Sequence, residues 1–165
     1  MGGRPPIKLI SNERRINMGK RLYIAYGSNL NLQQMNYRCP TATVVGKSEL
    51  TGYKLIFKGA PTNAYATIEE NEGSTVPVLV WDIKPQDEHN LDRYEGYPTF
   101  YYKKNLVIEV EGTEVEAMVY IINKKAEIGI PSQRYYNTIS IGYETAGFDV
   151  TFLEEALKFS KAQIV

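Results

Sequence analysis

The sequence has 165 residues, a length that one domain usually occupies and that can bury a core without disulfides or metals. Basic and acidic residues number 19 each, and this zero net charge argues against a general nucleic-acid or membrane-surface binder. One histidine and one cysteine are too few for a usual zinc site or an internal disulfide, so a reducing, cytoplasmic compartment is expected. Any chemistry must then use carboxylates, hydroxyls and backbone groups, and 13 tyrosines supply many of the hydroxyls.

We expect residues 1–17 to form a flexible N-terminal extension and residues 18–165 to form a single domain. Residues 1–17 show no periodicity, and Met18 resembles a natural start. They hold four of the 19 basic residues and one of the 19 acidic residues, which leaves a mildly acidic domain. Neither a signal peptide nor a membrane span is expected, because no apolar run in the chain is long enough.

The first predicted elements surround a glycine turn. Arg21–Tyr26 is a short apolar run rich in strand-forming residues, and the turn Gly27-Ser28-Asn29 ends it. A short helix is predicted over Leu32–Arg38, with Asn31 as its cap and Pro40 as its stop. Three strands separated by glycine-containing segments are predicted next: Thr41–Val45, Tyr53–Lys58 and Ala64–Glu69.

A buried strand, a helix and a hairpin are predicted in the middle of the chain. The strand is Val76–Ile83, and the helix is Pro85–Tyr94. Proline opens this helix, acidic residues fill its first turn, and Gly96 stands where glycine commonly ends a helix. The hairpin joins Asn105–Val110 to Val115–Ile122.

Two predicted helices close the chain, Ser132–Ala146 and Thr151–Lys161, the second with a capping box of Thr151 and Glu154. Seven or so strands with short connections indicate an antiparallel sheet that curls toward a barrel. A doubly wound parallel sheet is disfavoured because strands and helices do not alternate regularly. The predicted fold class is α+β, a small mixed, mainly antiparallel β-barrel with flanking helices.

The segment Tyr26–Leu30, with the sequence YGSNL, is the first that carries residues suited to chemistry. Gly27 lets the backbone turn sharply and come close to a ligand. Successive N–H groups between a strand and a helix suit a carboxylate or a developing oxyanion. An ordinary turn followed by a helix cap has the same local pattern and is commoner.

The segment Leu91–Pro98, with the sequence LDRYEGYP, is the second. Glu95 falls at the C-terminal end of a predicted helix, where the helix dipole disfavours a charged carboxylate and raises its pKa. Partial burial among the neighbouring aromatic residues would act in the same direction. Such a carboxyl can take and return a proton near neutral pH. A solvated glutamate at a helix end is the ordinary explanation of this pattern.

Taken together, these segments resemble the γ-glutamylcyclotransferase-like family. The matching pieces occur in the family's order: YGSNL, VPVLVWDI, LDRYEGYP, AMVYI and PSQRYYNTISIGYETAG. The resemblance spans Lys20 to about Phe159 and implies a small barrel without a cofactor. YGSN, as opposed to a YGTL-type turn, favours the branch that acts on γ-glutamyl amino acids over the branch that acts on γ-glutamylamines.

The resemblance implies an enzyme that releases 5-oxoproline from a γ-glutamyl amide. The substrate's own α-amine attacks its γ-carbonyl, so the enzyme needs no nucleophile of its own. Glu95, which matches the family's acidic residue, is expected to take a proton from the α-ammonium group and later return it to the leaving nitrogen. The segment that begins at Tyr26 is expected to bind the substrate. Its backbone groups are expected to hold the substrate's polar end or the oxyanion, and they belong to four residues: Gly27, Ser28, Asn29 and Leu30.

Tyrosines are the remaining residues that the resemblance assigns to the site. A pocket tyrosine follows the acidic residue in the family, and both Tyr101 and Tyr102 qualify. Strand alternation lets only one of them point inward, and Tyr102 is preferred. Tyr135 matches the tyrosine of the PSxxY element and is preferred over Tyr136 as a substrate contact. Tyr23 is expected to pack in the core.

The expected partner is a small γ-glutamyl substrate, with no metal, nucleic acid or membrane, and the oligomeric state stays open. One alternative is a relative that removes a γ-glutamyl group from a biosynthetic intermediate or a γ-glutamylamine. Another is a ligand-binding barrel without catalytic activity. Cys39 is expected to be a small buried side chain rather than a nucleophile, and His89 a surface residue.

Overall fold

The computed structural model describes residues 21–164, which form five strands and four helices. A short 3-10 turn, Ser28–Leu30, lies between the first strand and the first helix. The predicted extension, residues 1–17, lies outside the described residues. In chain order the elements are β1 (Arg21–Ala25), α1 (Leu32–Arg38), β2 (Thr43–Lys58), β3 (Tyr65–Ile83), α2 (Pro85–Glu95), β4 (Tyr101–Val110), β5 (Thr113–Ile122), α3 (Gln133–Ala146) and α4 (Thr151–Gln163).

The strands form one sheet in the order β2-β3-β1-β5-β4. Neighbouring strands are antiparallel except β1 and β5, which pair in parallel. The sheet curls until its edge strands approach each other, and the Ser48 hydroxyl on β2 donates a hydrogen bond to the Glu109 carbonyl on β4. The predicted α+β class, with a mixed and mainly antiparallel sheet flanked by helices, is confirmed.

The prediction of seven or so strands is wrong, because the two long strands each join two of the predicted ones. Gly52 and Gly73 take φ values of +84° and +88°, and the pairing register shifts between Thr51 and Tyr53. Glycine reaches positive φ at little steric cost, so a bulge bends the paired strands without ending them. β2 contains the predicted strands Thr41–Val45 (from Thr43 on) and Tyr53–Lys58, and β3 contains Ala64–Glu69 (from Tyr65 on) and Val76–Ile83.

Local capping sets the ends of the two helices that flank the YGSN turn and Glu95. The Asn31 side chain accepts a hydrogen bond from the Gln34 N–H at 3.0 Å and opens α1, as predicted. α2 runs one residue further than predicted and ends at Glu95, where Gly96 turns the chain with a left-handed φ of +69°. Glu95 is therefore the last helical residue, with a sharp turn directly after it.

α4 begins differently from the prediction. The Thr151–Glu154 capping box is wrong, because the N-terminal cap is Val150 and no side chain caps it. Instead, the Asp149 carboxylate accepts hydrogen bonds from the Thr151 N–H at 3.0 Å and from the Thr151 hydroxyl at 2.8 Å. Within residues 21–164, none of the helices is long and apolar enough to cross a membrane.

α3 packs directly on the YGSN turn. A Cβ atom added to Gly142 would lie 2.7 Å from Leu30 Cβ and 2.9 Å from the backbone nitrogen of Asn31. The Asn31 side-chain amide also donates to the Thr138 carbonyl of α3 at 3.0 Å. Gly142 is therefore needed for the close approach that holds the turn against the helix.

Gly142→Ala is expected to destabilise the protein by about 1–3 kcal/mol, because overpacking at this contact must move α3 or the turn. Helix propensity alone predicts the opposite sign, since alanine in a helix interior is favoured over glycine by up to about 1 kcal/mol. Urea unfolding measures the difference, with Glu144→Ala on the exposed face of α3 as the control. A Gly142→Ala protein more stable than wild type would contradict the packing argument.

Candidate active site

The two segments singled out from the sequence meet in one small pocket. Gly27, Ser28 and Asn29 of the turn lie on its wall together with Glu95 from the end of α2. The rest of the wall comes from strands β3, β4 and β5, helix α3 and the end of β1: Tyr23, Tyr26, Ala66, Tyr101, Tyr120 and Tyr135. More than 60 residues of chain separate the turn from Glu95, and the sheet brings them together.

Glu95 has an unusual carboxyl group. Burial raises its pKa from 4.5 to about 8, and the Arg38 guanidinium opposes this effect and lowers the pKa. The sequence predicts two causes of such a shift, the helix dipole first and partial burial second. In the structure burial is the leading cause. A carboxyl with this pKa is mostly protonated at neutral pH, yet its carboxylate form is close enough in free energy to accept a proton during a reaction.

Three residues of the turn that line the pocket have backbone N–H groups without a carbonyl partner among the described residues. The Leu30 N–H donates to the Gly27 carbonyl and the Asn31 N–H donates to the Ser28 carbonyl, each at 3.0 Å. The N–H groups of Gly27, Ser28 and Asn29 donate to no carbonyl among residues 21–164. These three N–H groups are therefore the available donors of the turn.

Leu30 does not belong to the pocket wall, although the sequence assigns it to the site. Its side chain is fully buried in the core, below Gly142 of α3, and its N–H is already used within the turn. The hydrophobic side chain anchors the turn while the three residues before it face the pocket. The role of Leu30 is therefore structural support of the turn.

The prediction that Tyr102 of β4 points into the pocket is wrong, because its neighbour Tyr101 does so instead. Tyr101 is 5% exposed and lies on the pocket wall with Glu95, whereas Tyr102 is 37% exposed on the opposite face of the strand, near Tyr53 and Lys104. Alternation predicts that one of the two tyrosines points inward, but it does not say which. The choice depends on the register with β5, where Tyr101 pairs with Ile122.

Three pocket tyrosines have hydroxyl hydrogens that are already used. Tyr26 donates to the Tyr120 carbonyl at 2.6 Å, Tyr101 donates to the Ala66 carbonyl at 2.7 Å, and Tyr120 donates to the Asp92 carboxylate at 2.6 Å. Burial raises the pKa of each of these phenols, so they stay neutral. Their oxygen lone pairs are therefore left to accept hydrogen bonds from a ligand.

The hydroxyl groups of two other pocket tyrosines accept hydrogen bonds from the protein instead of donating them. The Tyr135 hydroxyl accepts from the Ala66 N–H at 3.0 Å, and the Tyr23 hydroxyl accepts from the Asn29 side-chain amide at 2.8 Å. Each keeps its own hydrogen for donation. Tyr135 lies on the pocket wall, whereas Tyr136 packs beside Phe57 with ring centroids 6.4 Å apart. Tyr23 is both core, as expected, and part of the pocket wall.

Arg38, which the sequence did not single out, joins the two segments. Its guanidinium donates to the Asn29 side-chain oxygen and to the Gln34 side-chain oxygen, and lies 3.5 Å from the centroid of the Tyr94 ring. Tyr94 in turn shares a 3.0 Å hydrogen bond with the Ser28 hydroxyl. No local pattern marks Arg38, since it lies in the last turn of an otherwise ordinary short helix.

Arg38→Gln is expected to move the acid limb of the pH–rate profile for kcat/KM to higher pH. Removing the guanidinium removes the charge that holds the pKa of Glu95 down, so a smaller fraction of the carboxyl is ionised at pH 7. Arg38→Lys keeps the charge but loses the fork and the stacking on Tyr94, so its limb is expected to stay close to that of wild type. A limb that is unmoved in Arg38→Gln would exclude this electrostatic role.

An ion-pair network fixes the helix that carries Glu95. Lys103 of β4 lies 2.6 Å from the Glu88 carboxylate and 2.9 Å from the Asp92 carboxylate. Arg21 of β1 pairs with Glu88 at 3.1 Å. Tyr120 of β5 binds Asp92 from the pocket side, so α2 is tied to three strands within two turns of Glu95. This anchoring limits how far Glu95 can move relative to the turn.

A second, wider cavity opens beside the pocket. It has a volume of about 310 Å³, whereas the pocket described above, from here on the inner pocket, measures about 20 Å³. The two cavities share Glu95, Tyr101 and Tyr135. We call it the outer cleft; its other wall residues are Tyr65, Arg93, Tyr94, Gly96 and Phe100. A larger groove of about 440 Å³ lies between β2, β3 and α4, but it contains neither the YGSN turn nor Glu95.

A carboxyl with a raised pKa and backbone N–H groups without a carbonyl partner line one pocket of a curled α+β sheet, which is the pattern of a small-molecule enzyme site. Residues 23–137 match the sequence model of the family described as "Gamma-glutamyl cyclotransferase, AIG2-like". This chain belongs to that family.

Named relatives agree with this assignment. The human gamma-glutamylcyclotransferase is 30% identical over 146 residues, which are 81% of this chain and 76% of the human protein. The bovine gamma-glutamylcyclotransferase is 29% identical over 143 residues, which are 79% of this chain and 74% of the bovine protein. A solved structure of a gamma-glutamyl cyclotransferase superposes with a TM-score of 0.74 at 25% identity, over 83% of this chain and 86% of that one.

Proposed function

We propose that this protein releases 5-oxoproline from γ-glutamyl amides, with Glu95 as the general base and acid. The observation that carries the proposal is that Glu95, with a pKa of about 8, shares one pocket with the free N–H groups of the YGSN turn. The names of the relatives support the reaction class. The geometry supports the division of roles, because an acid–base group and oxyanion donors line the same small space.

The reaction needs no nucleophile from the protein. Glu95 takes a proton from the α-ammonium group, and the freed amine nitrogen attacks the γ-carbonyl carbon to form a five-membered ring. The bond from that carbon to the leaving nitrogen then breaks, and Glu95 returns a proton to the leaving nitrogen. The two protons that the α-ammonium group loses match the two that the expelled nitrogen gains when it leaves as an ammonium ion, so neither water nor net protons are consumed.

The hydrogen-bond polarity of the pocket suits this substrate. The oxygens of Tyr26, Tyr101 and Tyr120 can only accept, because their hydrogens are used elsewhere, so they suit the cationic α-ammonium group. The hydroxyls of Tyr135 and Tyr23 can still donate, so they suit a carboxylate or a carbonyl oxygen. Holding the amine against the γ-carbonyl in this way supplies the proximity on which an intramolecular attack depends.

The backbone N–H groups of Gly27, Ser28 and Asn29 are assigned to the oxyanion that develops on the γ-carbonyl oxygen. Removing one such donor costs about 3–4 kcal/mol where it has been measured in other enzymes. The close approach at Gly27 fits this role, since a Cβ there would lie 3.1 Å from Ala66 Cβ and 3.6 Å from the Tyr135 hydroxyl. Any larger side chain at this position would reduce the space in front of these donors.

The test is 5-oxoproline release from a panel of γ-glutamyl amides by purified protein. We expect release from γ-glutamyl dipeptides and none from the same dipeptides acetylated on the α-nitrogen, since acetylation removes the nucleophile. Glutathione and γ-glutamylamines in the panel distinguish the branches of the family. Failure to release 5-oxoproline from any member would contradict the proposed function. Release of N-acetylglutamate from the acetylated compounds would identify a hydrolase instead.

A further inference from the structure

The outer cleft has the size and position of a leaving-group site. The inner pocket, about 20 Å³, holds little more than one water-sized group. The γ-glutamyl group of a dipeptide must then span both cavities, since Glu95, Tyr101 and Tyr135 line both, and the leaving group has space only in the outer cleft of about 310 Å³. Because Glu95 lies on both walls, the bond that breaks is expected beside Glu95, with the leaving group in the outer cleft.

Aromatic rings that pack on one another form one wall of the outer cleft. Tyr65 meets Phe100 and Tyr135 edge to face, with ring centroids 5.9 and 5.1 Å apart, and Phe100 meets Tyr101 at 5.2 Å. Phe100 also lies directly on the backbone of Gly59, where an added Cβ would be 2.8 Å from Phe100 Cζ. These contacts hold the rings in place, so the wall presents a preformed apolar surface to a ligand.

Arg93 is the cation at the edge of this cleft. It lies in the last turn of α2, two residues before Glu95, and is exposed. Within residues 21–164 its guanidinium has no ion pair or hydrogen bond, whereas Arg21 and Lys103 are both paired with Glu88. The charge of Arg93 is therefore available to a ligand.

We propose that the outer cleft selects a leaving group that is an amino acid or short peptide with a large apolar or aromatic side chain, and that Arg93 pairs with its carboxylate. This inference rests on the proposed function, because a leaving group exists only if an amide is cleaved. The side chain of the leaving group packs on the wall of Tyr65 and Phe100. A cationic polyamine fits poorly, since Arg93 repels it and Glu95 is the only carboxyl that residues 21–164 contribute to the cleft wall.

The experiment compares γ-glutamyl-phenylalanine with γ-glutamyl-phenethylamide, which differs only by lacking the carboxylate. We expect wild type to favour the phenylalanine compound by about tenfold in kcat/KM, the size of one charge-assisted hydrogen bond. Arg93→Gln is expected to reduce the preference to within about twofold, mainly through KM. The control is Arg134→Gln, an exposed arginine of α3 outside the cleft, which is expected to keep it. A preference that survives in Arg93→Gln overturns the assignment of Arg93.

A second comparison tests the aromatic wall. We expect γ-glutamyl-phenylalanine to exceed γ-glutamyl-glycine by about tenfold in kcat/KM, as burial of a large apolar side chain predicts. Equal values would overturn the leaving-group site. If wild type cleaves none of these amides, the proposed function fails. Calorimetric measurement of Kd for the same compounds then tests separately whether the outer cleft binds a carboxylate. A tenfold preference in Kd for the phenylalanine compound over the phenethylamide, lost in Arg93→Gln, upholds the cleft as a carboxylate site, and no preference overturns it.

Discussion

Glu95→Gln is expected to lower kcat for 5-oxoproline release by about 10²–10⁴-fold, the usual contribution of a general acid–base group. Glutamine has nearly the same shape, so it preserves the packing around α2 and the pocket, but it can neither take a proton from the α-ammonium group nor return one to the leaving nitrogen. KM is expected to change little, because the tyrosine hydroxyls and the turn still bind the substrate.

Glu144→Gln is the matched control for this loss, since Glu144 lies on the exposed face of α3. It makes the same chemical change outside the pocket and is expected to keep the activity of wild type. Steady-state kinetics on one γ-glutamyl dipeptide measures both variants. If Glu95→Gln kept full kcat, Glu95 would not be the acid–base group, even if the protein releases 5-oxoproline.

The same substitution is expected to make the protein more stable at neutral pH. The folded state raises the pKa of Glu95 from 4.5 to about 8, so it favours the protonated form. The protonated carboxyl contributes its full share to the free energy of unfolding below pH 4.5. This share is lost progressively as the pH rises from 4.5 through about 8. Glutamine does not ionise, so Glu95→Gln avoids this loss, which amounts to roughly 3 kcal/mol at pH 7 at about 1.4 kcal/mol per pKa unit.

Urea unfolding of wild type and Glu95→Gln at several pH values measures this difference. The stability advantage of the variant should be small at pH 5 and grow toward pH 8, because only wild type must bury an ionising carboxyl. An advantage that does not change with pH would show that Glu95 ionises as easily in the folded state as in the unfolded one. The two expected effects together describe an active site that costs the protein stability in exchange for a poised carboxyl.

Local signals predicted the parts of the site that lie at helix ends. Pro85 and Gly96 bracket α2 and put Glu95 in its last turn, and Asn31 caps α1 directly after the YGSN turn. Such signals act within a few residues, so the sequence alone is enough to read them. The helix end with Glu95 and the short turn before α1 are correct for this reason.

Strand pairing decided the parts that could not be predicted. Alternation at Tyr101 and Tyr102 leaves the inward face undetermined, and only the register with β5 decides it. Residues 71–73 look like a turn in sequence, but Gly73 lies inside the bent strand β3, as Gly52 lies inside β2. Arg38 and Tyr120 reach the site through tertiary contacts that leave no pattern in the neighbouring sequence.

The most direct test of the acid–base role is a titration of the Glu95 carboxyl itself. The side-chain carboxyl carbons of ¹³C-labelled glutamate are followed by NMR as the pH is changed, and the signal missing from Glu95→Gln identifies Glu95. We expect its midpoint near pH 8, far above those of exposed glutamates. A midpoint near the ordinary value of 4.5 would contradict the claim that burial keeps this carboxyl protonated and ready to exchange a proton with the substrate.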